Sequence, residues 1–129
     1  MENNCRVMVV DDSKNDRAAL SSMLRHANID VREAPGGAQA LALAREFKPH
    51  VFVIDISMPI MNGFVLLKAL RVIDAPAEAI IVTGFDNRDT ERQAAELGAF
   101  SYLPKPVKPQ ILLANIKNAM AKVAAKSGI

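Results

Sequence analysis

A single cysteine, Cys5, among 129 residues leaves the chain without an internal disulfide or a cysteine-built zinc cage. The two histidines, His26 and His50, have no second nitrogen or sulfur ligand at metal-site spacing. No apolar run approaches the roughly 18 residues of a membrane span. Met1-Glu2-Asn3-Asn4 lacks the basic-then-apolar order of a signal peptide, so a reducing cytoplasm is the expected compartment. A large charge excess is missing too: 16 Lys and Arg face 14 Asp and Glu, and a net +2 makes no case for direct nucleic-acid binding. There is no linker, repeat or low-complexity segment. What remains is ordinary for one globular domain, with 50% hydrophobic and 23% charged residues. At this length folding buries enough surface for a core without staples.

Charge is nevertheless uneven along the chain. Residues 97–129 hold five lysines (Lys105, Lys108, Lys117, Lys122, Lys126) and no acid, which leaves 11 positive and 14 negative charges on residues 1–96. The basic end reads either as lysines on the exposed face of a last helix, favoured near its C-terminus by the dipole, or as a docking surface for an acidic partner. Partial exposure of Leu113 and Met120, off that helix's main stripe, would support docking.

Short Val- and Ile-rich runs alternate with stretches of helical period. The strand candidates are Arg6–Val10, Ile29–Ala34, Val51–Ile54, Ala79–Val82 and Ser101–Leu103. The first, third and fourth are almost continuously apolar, as parallel strands covered on both faces are. Helical stripes follow at Leu20, Met23, Leu24 and Ala27; at Ala40, Leu41, Ala44 and Phe47; at Val65, Leu66, Ala69 and Leu70; and at Leu112, Ile116, Ala119 and Val123. Ser13 with Asp16 resembles a capping box and Gly98 a helix-ending glycine. Lys48-Pro49 and Ala75-Pro76 close the second and third helices. Five β-then-α units imply right-handed crossovers and a three-layer, doubly wound α/β sandwich. The fourth helix, Asp86 to Leu97, offers only Ala94, Ala95 and Leu97 to a core, so it is expected to be weakly held.

Ligands of such a sheet bind beyond the carboxyl ends of its strands. There the sequence places Asp11 and Asp12 after the first strand, Asp55 after the third, Thr83 after the fourth and Lys105 after the fifth. Three carboxylates packed together repel, and a small hard cation such as Mg²⁺ relieves the repulsion through oxygen ligands. Asp11 and Asp12 form the metal-holding pair, leaving Asp55 as the nucleophile candidate for an acyl phosphate. The phosphoryl oxygens would be satisfied by metal, by the Lys105 charge and by the Thr83 hydroxyl. Taken singly, Asp11-Asp12 and Asp55 read equally well as helix caps, and Thr83 and Lys105 as turn residues. The set of five is what carries chemistry. No Gly-rich phosphate loop of a nucleotide binder is present, and a dehalogenase-type phosphatase would need Asp-x-Asp rather than adjacent aspartates.

These residues stand in four segments: Val9-Val10-Asp11-Asp12, the run from Asp55 through Ser57, Met58, Pro59 and Asn62 to Gly63, Ile81-Val82-Thr83-Gly84, and Tyr102-Leu103-Pro104-Lys105-Pro106. Their separations are 44, 28 and 22 residues. In these segments and spacings the chain closely resembles the receiver domain of bacterial two-component response regulators, from Val7 to about Ala125. The resemblance implies a single domain over 1–129 (core about 6–125, then a short C-terminal tail) with flavodoxin-like strand order 2-1-3-4-5. It implies that Asp55 accepts phosphate from a phosphohistidine on a histidine kinase or histidine phosphotransfer protein. Asp12, Asp55 and the Ser57 backbone carbonyl would hold Mg²⁺, with Asp11 acting through a water, while Thr83 and Lys105 would hold phosphoryl oxygens. Lys105–Pro106 would be a cis peptide. Tyr102 would be the switching aromatic, altering the face of the fourth helix, fifth strand and fifth helix.

Such a protein is a phosphoacceptor switch and not a turnover enzyme. Its partners are the kinase and either a downstream protein or an output domain continuing the chain; neither nucleic acid nor membrane is expected. The competing possibility is a pseudo-receiver, a phosphorylation-independent interaction module, against which the complete residue set argues. Ser57 and Phe85, each two residues beyond a site residue, depart from the usual pattern. Phe85 is expected to limit water and slow dephosphorylation. Met58, Met61 and Phe64 are expected to pack around Gly63.

Overall fold

A computed structural model describes residues 5–58, 62–73 and 76–126. Five strands alternate with five helices: β1 Arg6–Val10, α1 Lys14–His26, β2 Asp30–Ala34, α2 Gly37–Phe47, β3 Val51–Asp55, α3 Gly63–Ile73, β4 Glu78–Thr83, α4 Arg88–Glu96, β5 Ser101–Pro104 and α5 Pro109–Lys126. The strands form one parallel sheet in the order β2-β1-β3-β4-β5. Alternation along each strand divides the core. Val7, Val9, Val53, Ile80 and Val82 meet Leu20 and Leu24 of α1 and Leu112, Ile116 and Ala119 of α5. Met8, Val10, Phe52, Ile54 and Ile81 meet α2, α3 and α4 through Ala40, Leu66, Leu70 and Ala94. β3 and β4 are buried throughout, which is why they read as continuous apolar runs rather than alternating ones.

Local chemistry explains most boundaries. The Ser13 side chain accepts the Asp16 N–H and starts α1. Lys48 closes α2 at φ 51°, and Gly98 follows α4 at φ 81°, a left-handed conformation that costs glycine little. The fourth helix starts two residues later than the apolar pattern predicts. Asn87 takes the cap and exchanges hydrogen bonds with Thr90 in a reciprocal box. Of its predicted apolar residues only Ala94 is buried, while Ala95 faces solvent. The stripe of α3 is rotated from the predicted one: Leu67 is buried and Val65 is 48% exposed. Within the apolar run from Phe64 to Leu67 the period alone could not choose between them. Met58 is buried and Phe64 half-buried in the same layer, whereas Met61 and the Ala75 helix stop lie outside the described residues.

Lys117, Lys122 and Lys126 lie on the exposed face of α5, as the first reading of the basic end has it, and two of them also meet a buried partner. Glu78, the first residue of β4, is 2% exposed, and two of the lysines converge on it. Lys126 pairs with its Oε2, Lys122 lies 3.6 Å from the same oxygen, and Arg71 of α3 lies 3.8 Å from Oε1. Arg71 also donates to the carbonyls of Ala77 and Gly98. These lysines compensate a buried acid and tie the end of α5 to the start of β4. Leu113 and Met120 are half-buried and line an apolar groove of about 470 Å³ between α5 and the end of α1. Cys5 is buried at its floor, and burial pushes its thiol pKa up. His26 is exposed at the end of α1, and His50 accepts the Arg6 N–H through Nδ1. Among the described residues no helix is long and apolar enough to cross a membrane.

Candidate functional site

The registers bring the predicted residues to one rim. Val10 pairs with Ile54, Asp55 with Val82, and Thr83 with Pro104, so residues 11, 55, 83 and 105 leave neighbouring strands side by side. Ligand oxygens of Asp11, Asp12 and Asp55 lie within 4.8 Å of one another. Asp11 and Asp55 are buried, and Asp12 is exposed at the edge of the cluster. The Asp11 N–H donates to the Ala34 carbonyl at 3.2 Å. Its Oδ1 accepts the Ser13 N–H at 2.9 Å, and its carbonyl accepts Nη1 of Arg17 at 2.8 Å. Asp55 Oδ1 accepts the Ser57 N–H at 3.0 Å.

Lys105 reaches into this cluster from the end of β5. Its backbone N–H donates to the Thr83 carbonyl at 2.7 Å, and the Lys105–Pro106 peptide is cis. Its Nζ lies 2.8 Å from Asp11 Oδ2, 2.9 Å from Asp16 Oδ2 and 3.5 Å from Asp55 Oδ2. Burial by itself would lower the lysine pKa, but hydrogen bonds to Asp11 and Asp16, with the charges of Asp55 and Asp11, raise it. The ammonium form is therefore secure. Asp55 is pushed above the ordinary carboxylate range by burial first and by the Asp11 charge, against the Ser57 N–H and Lys105, which lower it. One cation does not balance three converging carboxylates. Their hard oxygen donors fit a small divalent cation, which would supply the missing charge.

Thr83 is buried, and its Oγ1 accepts the Phe85 N–H at 2.9 Å. That bond uses an oxygen lone pair and leaves the hydroxyl proton to donate. Phe85 itself is 67% exposed above the rim. Ser57 is exposed beside Asp55, and Tyr102 is half-buried on the other side of β5. The Tyr102 hydroxyl stands 2.8 Å from Thr90 Oγ1, so the aromatic is attached to the cap that starts α4. Of the 55–63 segment, Pro59, Ile60 and Met61 lie outside the described residues.

Two contacts were not anticipated. Asp16 pairs with Lys105 across 89 residues; its place in the first turn of a helix accounts for an acid there without any partner. Arg17 joins the Asp11 carbonyl to Glu33 of β2, at 2.8 and 3.2 Å. No local signal marks either contact.

The chain is similar to known proteins over most of its length. Residues 7–117 match the family described as the response regulator receiver domain. Protein PilH of Pseudomonas aeruginosa is 38% identical over 121 residues, covering 90% of this chain and 98% of PilH. The transcriptional regulatory protein PrrA of Mycobacterium tuberculosis is 36% identical over 112 residues, 87% of this chain but 48% of PrrA. The chain thus spans about half the length of that relative. Among solved structures, a CheY-like receiver domain protein from Methanospirillum hungatei superposes with a TM-score of 0.89 at 25% identity, covering 96% of this chain and 99% of the other.

Proposed function

The chain belongs to the response regulator receiver domain family, and from that premise we infer that Asp55 is the acceptor through which it takes phosphate in two-component signalling. The observation that carries the assignment is a buried carboxylate at the end of β3 whose Oδ2 faces the Lys105 ammonium and whose neighbours are two further aspartates. Asp55 Oδ2 attacks the phosphorus of a phosphohistidine; the P–N bond breaks, its electrons pass to the imidazole, and an acyl phosphate forms on Asp55. Lys105 neutralises one phosphoryl oxygen, and the Thr83 O–H donates to another. Asp11, Asp12, Asp55 and the Ser57 carbonyl would hold Mg²⁺, which when bound supplies the positive charge the three carboxylates lack. The Ser57 N–H keeps Asp55 Oδ1 occupied, leaving Oδ2 to make the bond.

The output follows from what Thr83 and Tyr102 touch. When the Thr83 hydroxyl turns to the phosphoryl group, its bond to the Phe85 N–H weakens. The Phe85 carbonyl lies 3.3 Å from the hydroxyl of Thr90 in the first turn of α4, and Thr90 holds Tyr102. The α4-β5-α5 face thereby changes, and α4 is held by a single buried alanine. The donor is a histidine kinase or phosphotransfer protein, and the receiver of the signal is a protein target or a continuing output domain. We place the chain in the cytoplasm, and we read it as a switch that assists its own phosphorylation and dephosphorylation rather than as a turnover enzyme. Phe85, exposed above the rim, shields the phosphoryl group from water.

Intact mass after incubation with acetyl phosphate tests the assignment. One labile phosphoryl adduct is expected, dependent on Mg²⁺ and absent from Asp55→Asn. An adduct that persists in the variant would move the acceptor elsewhere.

A further inference from the structure

Lys105 has more anionic partners than phosphoryl transfer requires. Its ammonium carries three N–H donors. Asp11 Oδ2 takes one at 2.8 Å and Asp16 Oδ2 a second at 2.9 Å, while Asp55 Oδ2 stands at 3.5 Å, the outer limit of a hydrogen bond. Asp16 lies outside the three-carboxylate cluster. Its backbone is fixed by the cap of α1, where its N–H donates to Ser13 Oγ at 3.3 Å. The start of that helix therefore sets where the carboxylate stands. The two bonded partners of Lys105 differ in freedom: the Asp11 side chain is fully buried, whereas that of Asp16 is 50% exposed. Water can solvate Asp16 if it releases the ammonium; it cannot do so for Asp11.

We propose that Asp16 is a positioning residue for Lys105, holding the ammonium back from Asp55 in the unphosphorylated chain and releasing it when a phosphoryl group forms there. The proposal rests on Asp55 being the acceptor. A phosphoryl group carries nearly two negative charges on several strong acceptor oxygens, and it draws the Lys105 ammonium away from a single half-exposed carboxylate. Breaking the Asp16 pair opposes the phosphorylated state, so Asp16 lowers the chain's affinity for a phosphoryl group. Exposed ion pairs are weak, which makes the release easy and the effect modest, about two- to five-fold.

The probe is beryllofluoride with Mg²⁺, a phosphoryl mimic, titrated by calorimetry or by amide NMR because the chain has no tryptophan. Asp16→Asn is expected to bind it about two- to five-fold more tightly, with Asp16→Glu close to wild type. In a Lys105→Met background, Asp16→Asn is expected to change nothing, since the effect passes through the ammonium. An equal gain without Lys105 would mean simple charge repulsion and overturns the proposal, as does an unchanged affinity with Lys105 present. The Lys105 Nζ resonance gives a second readout that does not depend on binding by the methionine variant. Wild type and Asp16→Asn should differ at Nζ when free and coincide in the adduct. A difference that persists in the adduct shows that Asp16 never lets go. A wild type that takes up no beryllofluoride, while its free Nζ signal still responds to Asp16→Asn, overturns the acceptor reading itself and with it the hand-over.

Discussion

Three carboxylates and one ammonium share the rim of the sheet, and Asp55 among them is both buried and faced by a like charge. Burial, then the Asp11 charge, raises its pKa. A carboxyl that binds its proton more tightly in the fold than in the unfolded chain adds stability below the unfolded value of about 3.9. That contribution is lost as pH rises through the higher folded value. At neutral pH without metal, ionised Asp55 therefore burdens the fold, and neutral asparagine does not. Asp55→Asn is expected to raise the metal-free Tm by about 2–5 °C near pH 7. The gain should shrink to nothing as pH is lowered toward 4, and Mg²⁺ should raise the Tm of wild type more than that of the variant. Thermal melts across pH, with and without Mg²⁺, measure all three. A variant that melts below wild type at pH 7 would contradict the assigned imbalance.

At the scale of elements, the start of α3 is pressed against the end of β3. A Cβ on Gly63 would lie 2.7 Å from the Ile56 Cα and 2.8 Å from the Asp55 carbonyl, closer than packed backbone allows. The glycine is needed for approach, not for φ. Gly63→Ala is expected to cost about 1–3 kcal/mol in denaturant unfolding and, by displacing Asp55, to slow labelling by acetyl phosphate. The Glu78 tie makes a second case. Removing both lysines leaves the buried acid only the Arg71 guanidinium, 3.8 Å from Oε1, so Lys122→Ala with Lys126→Ala should cost about 1–3 kcal/mol, while Glu78→Leu added to both should recover most of it. Urea titrations of the three chains decide this. If the lysine pair can be deleted without loss, the tie contributes nothing to stability.

Across the whole molecule, what could be read from the chain was whatever is local or repeated. β1, β3 and β4 are central strands, and their burial on both faces writes itself as apolar runs; Asp11, Asp55 and Thr83 stand directly after such runs, with Asp12 next to Asp11, while Lys105 follows the shorter fifth strand. Strand order was available only through resemblance to a family, since no local pattern says which strands are neighbours. Contacts set by tertiary register were invisible. Asp16 read as the partner of Ser13 in a capping box, Glu78 fell just outside a predicted strand, and Val65 could not be told from Leu67 by period. Each needed a partner dozens of residues away to give it meaning.

The unequal anchoring of β3 and β4, on one side, and α4, on the other, has a consequence in time. The amides of Val53, Ile54, Ile80 and Ile81 lie on strands buried throughout, so deuterium reaches them only when the molecule opens globally. Those near Ala94 sit on a helix with one buried side chain and exchange through its separate release, orders of magnitude sooner. The protein thus runs two clocks, a slow one that keeps the rim in place and a fast one at the face that reports on it.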